Sequence, residues 1–258
     1  MNSGRNGTRI HLVGGGRDEA VAPALYGPFL RDAGEGARIG VLLVDEGDGD
    51  GATRFERFAG VLRTGGACVP VPLLVPVGER FDPALLDGVD ALFVGGGLTP
   101  AYQEALAGCR EALTDLLREG GMPYAGFSAG AAVAARDAVV GGWLGDGVPV
   151  CPEDTAEDLE EVEVRPGLGL VPFSVDVHAA QWGTLARLVS AVGRGLTASG
   201  IALDENTALR IAAEPGAAAP VVRVDGVGRA HLVRRETDGD GDGVVVRSYR
   251  AGAVVRAW

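Results

Sequence analysis

The amino-acid sequence predicts an α/β protein built on a mainly parallel sheet with helices on both faces. Two observations carry this prediction. Short apolar segments alternate with segments of helical periodicity, and three of the apolar segments end abruptly in glycines. Strand-then-glycine junctions are typical of the carboxyl edge of a parallel sheet, where such folds place their sites. We therefore expect three strand ends to meet at one crevice.

Five predicted strands form the sheet, with two predicted helices among them. The strands are predicted at residues 9–13, 39–44, 67–71, 90–94 and 122–126, and the helices at residues 53–64 and 100–119. Pro70 favours an edge position or an early end for the third strand, because proline has no N–H to donate to a neighbouring strand.

The second half of the chain is less regular. Residues 136–166 are rich in Asp and Glu and predict either a solvated connection or a cap over the site. A strand ending at His178, a helix over residues 180–193 and a strand over residues 200–205 follow. Short β segments from residue 207 onward predict an antiparallel β extension.

Length and composition fit one domain. The chain has 258 residues, of which 47% are hydrophobic, and this is enough apolar material for a sizeable core. We expect a single domain over residues 1–258, with a core at about residues 9–210 and the C-terminal β extension at about residues 211–258.

Charge and cysteine content argue against several kinds of partner. A net charge of −12 argues against nucleic acids and anionic membrane surfaces, since both require basic patches. The three cysteines have no C-x-x-C spacing, which fits a reducing compartment and offers neither a disulfide framework nor a zinc site. No run approaches the ~18 apolar residues of a membrane span. We expect a cytoplasmic protein without a metal or an organic cofactor.

Two glycine-rich segments imitate ligand sites without completing them. Gly14-Gly-Gly16 follows the first strand, but Glu19 stands where G-x-G-x-x-G requires its last glycine, so a dinucleotide site is not expected. Residues 238–243 imitate the start of a calcium loop, but Tyr249 occupies the position where a bidentate Glu is required. That segment therefore predicts a hairpin turn.

The segment Gly126-Phe-Ser-Ala-Gly130 carries the main chemical signal. G-x-S-x-G is typical of a sharp strand-to-helix turn that holds one serine in an exposed position. Small residues are needed because a Cβ at either flank would crowd the turn. Ser128 is therefore the candidate nucleophile, although a glycine-rich loop after a buried strand would give the same letters.

A serine nucleophile needs a base, and the chain has three histidines. His178 ends a predicted strand at the sheet edge where Ser128 is expected, which makes it the candidate base. The alternative is a histidine that caps the next helix. His11 lies inside the first strand and His231 in the late β region, so packed or surface positions are expected for both.

The third member of a triad is expected in Leu203-Asp-Glu-Asn-Thr207, where Asp204 or Glu205 would accept the second imidazole N–H. The chain order is then Ser, His, acid. This differs from the order Ser, acid, His of α/β-hydrolases and points away from lipases and esterases.

Four segments occur in a specific order, namely Val94-Gly-Gly-Gly-Leu-Thr99, Tyr124-Ala-Gly-Phe-Ser-Ala-Gly-Ala131, Asp176-Val-His178 and Gly200-Ile-Ala-Leu-Asp-Glu-Asn-Thr-Ala-Leu209. With them the chain resembles peptidase family S51, that of peptidase E (aspartyl dipeptidase) and cyanophycinase, over roughly residues 9–210. The resemblance implies a flavodoxin-like fold of the class I glutamine amidotransferase type, in which a serine replaces the cysteine of the amidotransferases.

The resemblance also implies roles for individual residues. Ser128 would be the nucleophile, His178 the general base and Glu205 the acid that orients the base. The oxyanion would be held by the backbone N–H groups of Gly97 and Ala129. Asp146, in the loop after the elbow helix, remains an alternative acid.

Thr99, Gln181 and Arg187 are the candidate substrate-binding residues. Arg187 would bind a substrate carboxylate bidentately, and the alternative is an arginine on a helix surface. Trp182 would line the pocket or, as is more common for tryptophan, lie in the core. Two departures from the family leave the substrate open. Leu98 stands where members commonly have Asn or another polar residue, and of the Arg-rich stretch of cyanophycinases only Arg187 remains.

The function expected is that of a serine peptidase that hydrolyses a small aspartyl or β-aspartyl peptide through an acyl-enzyme on Ser128. One alternative is an enzyme that passes the acyl group to an amine in a biosynthetic pathway. Another is a non-catalytic binding or regulatory protein on the same fold. Because family members include dimers, we also expect a homodimer.

Overall fold

Two sheets form the frame of the protein, whose computed structural model describes residues 9–47, 49–212, 220–236 and 243–255. The strands are β1 (Arg9–Val13), β2 (Ala37–Asp45), β3 (Cys68–Pro76), β4 (Ala91–Val94), β5 (Tyr124–Phe127), β6 (Asp137–Gly141), β7 (Leu144–Gly145), β8 (Val148–Pro149), β9 (Glu163–Pro166), β10 (Ser174–Asp176), β11 (Ser199–Leu203), β12 (Thr207–Ala212), β13 (Val221–Gly226), β14 (Arg229–Arg235), β15 (Val244–Arg250) and β16 (Val254–Val255). The α-helices are α1 (Ala22–Ala33), α2 (Asp50–Gly65), α3 (Thr99–Ala107), α4 (Arg110–Arg118), α5 (Ala129–Val133) and α6 (Leu185–Gly193).

The larger sheet has the strand order β16-β13-β12-β1-β5-β4-β2-β3. The strands from β1 to β3 in this order are parallel, whereas β12, β13 and β16 run antiparallel to their neighbours. The predicted mainly parallel α/β sheet is confirmed. Of the two alternatives that Pro70 left for the third strand, the edge position is observed, and β3 does not end early but continues to Pro76.

Helices cover both faces of this sheet. Successive side chains of each strand point to opposite faces and therefore enter two different hydrophobic cores. On one face, Val41 and Phe93 pack with residues of α1 and α2. On the other face, Leu42 and Leu92 pack with α3, α4 and residues of the second sheet. The sheet is thus buried on both sides, which explains the continuous apolar runs of its central strands.

Two helical details differ from the prediction. The sequence does not predict α1, because Pro28 inside it disfavours a helix. Pro23 lies in the first turn, where no intrahelical donor is needed, and burial of Phe29 among other side chains holds the helix to the sheet. The single helix predicted over residues 100–119 is divided into α3 and α4 at Gly108 and Cys109.

The C-terminal strands are antiparallel, as predicted, and they extend both sheets. β12 pairs with β1 in the larger sheet, while β14 pairs with β11 in a four-stranded sheet of order β10-β11-β14-β15. In that sheet Arg235 lies opposite Val244. Between them, residues 237–242, which include most of the predicted hairpin turn, lie outside the described residues.

The acidic stretch and the segment after His178 also take definite positions. Within residues 136–166, β6 and β9 pair antiparallel. The helix predicted over residues 180–193 begins only at Leu185, so that residues 179–184 form turns beside the strand ends. Among the described helices, none is long and apolar enough to cross a membrane.

Candidate active site

Ser128 occupies a strained turn between β5 and α5. Its φ of 52° and ψ of −113° lie outside the regions that non-glycine residues ordinarily adopt. The Ser128 amide donates to the carbonyl of Val13 at 2.9 Å. A Cβ on Gly126 would overlap the carbonyl oxygen of Gly130, and one on Gly130 would overlap that of Val94. Close backbone packing therefore explains both glycines of the motif, and the expected sharp turn is present.

His178 lies two residues beyond β10, with a positive φ of 56°. Its amide donates to the carbonyl of Gly14 at 2.9 Å, which fixes the backbone beside the end of β1. Its Nε2 lies 2.9 Å from the hydroxyl oxygen of Ser128. Two strand ends that are far apart in sequence thus bring the predicted nucleophile and the predicted base into hydrogen-bond contact.

Glu205 is the acid that meets the imidazole, with its Oε1 atom 2.8 Å from His178 Nδ1. The two alternative acids are engaged elsewhere. Asp204 accepts from the amides of Ala180 and Arg229. Asp146 has a side chain that is 77% exposed and pairs with an arginine, Arg194, at 2.9 Å.

The Gly14–Gly16 turn holds the segments that carry the base and the acid. Besides accepting from the His178 amide through Gly14, the turn accepts from the amide of Asn206 through Gly15 at 2.8 Å. A Cβ on Gly15 would overlap the imidazole of His178, and one on Gly16 would overlap the side-chain amide of Asn206. Close approach to His178 and Asn206 therefore explains Gly15 and Gly16.

The other two histidines are buried away from Ser128. His11 Nε2 lies 2.8 Å from Asp32 Oδ2. His231 lies between Ser248 and Asp204, at 2.8 Å and 3.2 Å. The sequence-based expectation that neither is the base agrees with these positions.

The two amides expected to hold an oxyanion flank the nucleophile. Ala129 directly follows Ser128, and a Cβ on Gly96 would lie 3.0 Å from the Ser128 Cβ, which places the Gly96–Gly97 peptide beside it. Among the described residues, no hydrogen bond uses the amide of Gly97 or of Ala129, whereas the Gly130 amide donates to Gly95. Both amides therefore remain available to a ligand.

Ser128 and His178 open onto a cavity of about 1160 Å³. Its wall includes Gly97, Glu205 and residues 153–160 from the acidic stretch. Of the two alternatives left by the sequence, the structure supports a cap over the site and not a solvated connection. The cap is anchored, because the Glu157 carboxylate accepts from the Thr99 amide at 2.9 Å.

The prediction that Arg187 binds a substrate carboxylate is wrong, because its guanidinium is buried and fully engaged. Its Nε and Nη2 donate to the two carboxylate oxygens of Asp176 at 2.9 and 2.7 Å, and its Nη1 donates to the carbonyl of Thr155 at 2.7 Å. Arg187 does not line the cavity. It is neither a helix-surface arginine nor free to bind a substrate carboxylate, and it ties the cap to β10.

The other predicted substrate-binding residues also take supporting positions. Thr99 is buried, and its amide binds the Glu157 carboxylate of the cap. Gln181 accepts from the Glu205 amide at 2.8 Å through its side-chain oxygen. Trp182, for which the sequence favours a core position, instead lines the cavity and is 41% exposed. No direct contact of Thr99 or Gln181 with the cavity is observed.

The protonation state of His178 suits a base. Burial lowers the pKa of His178, and the hydrogen bond and charge of Glu205 partly oppose that shift. Because a carboxylate only accepts, Nδ1 carries the proton and donates to Glu205. Nε2 is then unprotonated and accepts from the Ser128 hydroxyl. The neutral imidazole is the form that can remove a proton from serine.

Three arginines of the cavity, Arg17, Arg54 and Arg57, were not identified as site residues from the sequence. Arg17 directly follows the glycine turn of β1, and this position at a strand end was the one available signal. Arg54 and Arg57 lie on α2, where a helical pattern gives no indication that their side chains line the cavity.

Comparison with known proteins finds a matching family model and several similar proteins. The model of peptidase family S51 matches residues 79–216. A peptidase E of Streptomyces coelicolor is 40% identical over 107 residues, which are 40% of this chain and 37% of the relative. A cyanophycinase of Trichormus variabilis is 25% identical over 207 residues, 78% of this chain and 66% of the relative. The matched segments thus cover less than two thirds of each relative.

Solved structures share the fold. A peptidase from an acI-B1 actinobacterium superposes with a TM-score of 0.63 at 18% identity and covers 99% of both chains. A putative peptidase E protein from Listeria monocytogenes superposes with a TM-score of 0.52 at 16% identity, over 86% of this chain and 100% of that protein. Because the family model covers more than half of the sequence, the chain belongs to peptidase family S51.

Proposed function

We propose that the chain is a serine peptidase that hydrolyses a small aspartyl or β-aspartyl peptide through an acyl-enzyme on Ser128. The observation that carries the proposal is the continuous hydrogen-bonded chain Ser128–His178–Glu205 at the edge of an open cavity. Such a chain has the geometry of a nucleophile, a base and a group that orients the base.

The reaction follows from the roles of these atoms. His178 Nε2 takes the proton of the Ser128 hydroxyl while the oxygen attacks the peptide carbonyl. The amides of Gly97 and Ala129 bind the oxyanion that forms, and Glu205 stabilises the imidazolium. The imidazolium gives its proton to the leaving amine, which leaves an acyl-enzyme. A water molecule, activated by His178, then releases the acid.

The substrate class is supported by similarity and by charge. The relatives are a peptidase E and cyanophycinases, and the cavity carries two arginines, Arg17 and Arg57, that form no ion pair with a described residue. Burial lowers the pKa of Arg57, and the neighbouring charges of Arg17 and Arg54 lower it further. An anionic side chain of a substrate would relieve this repulsion. Arg17 and Arg57 thus replace Arg187 as the proposed ligands of the aspartyl carboxylate.

The remaining charge of the cavity favours a substrate that also carries a positive group. Ten carboxylates line it, with five of them on the cap: Glu153, Asp154, Glu157, Asp158 and Glu160. A free peptide has both an α-amino group and carboxylates, so a small unblocked peptide matches this division of charge.

The direct test is incubation with Asp-X, β-Asp-X and N-blocked peptides while new amino groups are measured. Ser128→Ala is expected to abolish turnover, and Ser190→Ala, at a half-buried serine of α6 that lies outside the cavity wall, is the matched control. Fluorophosphonate labelling of Ser128 separates the proposal from a non-catalytic binding protein, which would not react. Undiminished hydrolysis by Ser128→Ala would refute the proposal.

Acyl transfer to an amine is the second candidate, favoured by the size of the cavity. A volume of about 1160 Å³ is larger than the ~300–1,000 Å³ of a typical small-molecule site, so an acceptor amine has room beside an acyl-enzyme. Product analysis with an added amine distinguishes the two reactions, because transfer gives a new amide where hydrolysis gives the free acid.

A further inference from the structure

The side chain of Arg54 crosses from α2 to the strand ends beside Ser128. Its Nη1 donates to the carbonyl oxygen of Gly96 at 2.7 Å, and its Nη2 donates to the carbonyl of Val44. Its Nε lies 2.6 Å from Asp50 Oδ2, one turn back on the same helix. The side chain is 11% exposed. The Arg54 guanidinium therefore forms an ion pair with Asp50, while its two Nη atoms donate to β2 and to the turn after β4.

A second donor reaches the same carbonyl from the opposite element. The hydroxyl of Tyr102, a fully buried residue of α3, donates to Gly96 O at 3.0 Å. Burial raises the pKa of Tyr102 to about 12, so the hydroxyl keeps its proton and remains a donor. The Gly96 carbonyl is thus held by two side chains, one of them charged.

The orientation of the Gly96 carbonyl determines the direction of the next amide, the N–H of Gly97. A peptide group is planar and trans, so its N–H points opposite to its C=O. With the Gly96 carbonyl directed to Arg54 and Tyr102, the Gly97 N–H must point away from them. The Gly96 backbone lies against Ser128, where a Cβ would come within 3.0 Å of the Ser128 Cβ. The free N–H is therefore presented next to the nucleophile.

Close contacts also explain why position 97 is a glycine. Gly97 has a φ of 155°, and a Cβ on it would lie 2.6 Å from Arg54 Nη1 and 2.8 Å from Glu46 Oε1. Glu46 accepts from the Leu98 amide at 3.4 Å and lies 3.7 Å from the Arg54 guanidinium. The glycine therefore permits the side chains of Arg54 and Glu46 to close on the turn from both sides.

We infer that Arg54 is a positioning residue, which together with Tyr102 fixes the Gly96–Gly97 peptide so that the Gly97 N–H binds the oxyanion formed at Ser128. The inference rests on the proposed hydrolase function. Arg54 itself contacts the peptide and not the reacting atoms. Its effect must therefore be seen in the transition state more than in substrate binding.

The experiment measures kcat and KM, the rate of fluorophosphonate labelling and inhibition by a peptide aldehyde, whose adduct carries an oxyanion. In Arg54→Ala, Tyr102 still holds the carbonyl, and we expect kcat and the labelling rate to fall about tenfold with KM nearly unchanged. In Arg54→Ala/Tyr102→Phe the loss should approach about 10²–10³-fold, as for removal of an oxyanion donor. Inhibition by the peptide aldehyde should weaken in parallel. Arg54→Lys, which keeps one charged donor, should recover part of the loss.

Arg63→Ala, at an exposed arginine of the same helix, is the control and should match the wild type. A rise in KM alone would make Arg54 a substrate ligand and overturn the inference, as would wild-type kcat in the double variant. If Arg54→Ala fails to fold, the kcat and KM of Tyr102→Phe and Arg54→Lys test the inference instead, because both substitutions preserve most of the packing.

A crystal structure of the double variant gives a readout that does not need activity. We expect the Gly96–Gly97 peptide to rotate there and to keep its orientation in Arg63→Ala. An unrotated peptide would overturn the inference. A wild type that neither hydrolyses peptides nor labels at Ser128 would refute the proposed function instead, and the orientation of the peptide would still decide whether Arg54 holds it.

Discussion

The imidazole of His178 and the indole of Trp182 lie face to face, with ring centroids 3.7 Å apart and planes 6° from parallel. The Trp182 amide also donates to the His178 carbonyl at 2.8 Å, so the two residues form one turn. The stacked indole restricts rotation of the imidazole about the bond that sets its contacts with Ser128 and Glu205. The exposed face of Trp182 at the same time forms part of the cavity wall.

Trp182→Ala should therefore impair the base without removing it. An aromatic pair contributes about 0.5–1.5 kcal/mol beyond burial, so we expect kcat to fall by up to about tenfold. Trp182→Phe retains a ring and should recover most of the rate. Steady-state kinetics on both variants test this prediction. Equal losses of kcat in Trp182→Phe and Trp182→Ala would show that ring stacking is not the cause of the loss.

Replacement of Glu205 should change both the rate and its pH dependence. Glu205→Gln removes the negative charge and allows the wrong imidazole tautomer, so we expect kcat to fall by about 10²–10⁴-fold. In the wild type burial lowers the pKa of His178 and Glu205 raises it. Without the carboxylate of Glu205, its upward contribution is lost and the pKa of His178 falls further. The acid limb of the kcat/KM profile should then move to lower pH.

The matched control for Glu205 is Asp146→Asn, because Asp146 was the alternative acid and its side chain is exposed. Its kcat/KM profile should overlay that of the wild type. A shift of the acid limb to higher pH in Glu205→Gln, or a large loss in Asp146→Asn, would contradict the assignment of Glu205.

Arg187 should matter for stability and not for substrate affinity. Removing one partner of a buried ion pair typically costs about 3–5 kcal/mol, because the other charge is left unpaired. Arg187→Met should therefore lower the free energy of unfolding by that amount, measured in urea. The double change Arg187→Met/Asp176→Leu should restore much of it. A stable Arg187→Met with a raised KM would instead return Arg187 to the substrate-binding role.

Arg57 should select for a negative substrate side chain. A hydrogen bond to a charged group contributes about 1.5–3 kcal/mol, so Arg57→Ala should lower kcat/KM for an Asp-X peptide by at least about tenfold. The same change should have little effect on the poorer Asn-X peptide. Measuring both peptides with both enzymes gives a coupling energy, and a coupling near zero would show that Arg57 does not contact the carboxylate.

The sequence predicted those parts of the site whose constraints are local. The glycines around Ser128 are required by backbone contacts at the turn itself, so the motif could be read without a structure. His178 was predictable because the carboxyl ends of parallel strands meet at one edge. α1 could not be predicted, since burial outweighs Pro28, which locally disfavours a helix.

The parts that could not be predicted depend on contacts between distant segments. From the sequence, Arg187 is predicted to be a substrate ligand or a surface residue. In the structure it pairs inside the protein with Asp176, eleven positions earlier. The orientation of Arg54 depends on the turn after β4, which lies 42 residues further along the chain. Neither contact leaves a periodic pattern or a short motif in the sequence.

Two glycines with nearly the same positive φ allow the role of the first turn to be separated from backbone strain. Gly15 has a φ of 105° and Gly34 one of 106°, so alanine at either position costs about 1–3 kcal/mol of stability. A Cβ on Gly34 meets nothing within 4 Å, whereas one on Gly15 would overlap the imidazole of His178. Gly15→Ala must therefore displace the base, and a misplacement of about 1 Å can cost about 10²-fold in rate.

We thus expect Gly34→Ala to lower the melting temperature and leave kcat unchanged. Gly15→Ala should lower the melting temperature by a similar or larger amount and also reduce kcat and fluorophosphonate labelling by about 10²-fold or more. Calorimetry and kinetics at a temperature where both variants are folded provide the comparison. Full activity in folded Gly15→Ala would mean that His178 can function away from the position that the turn of β1 gives it.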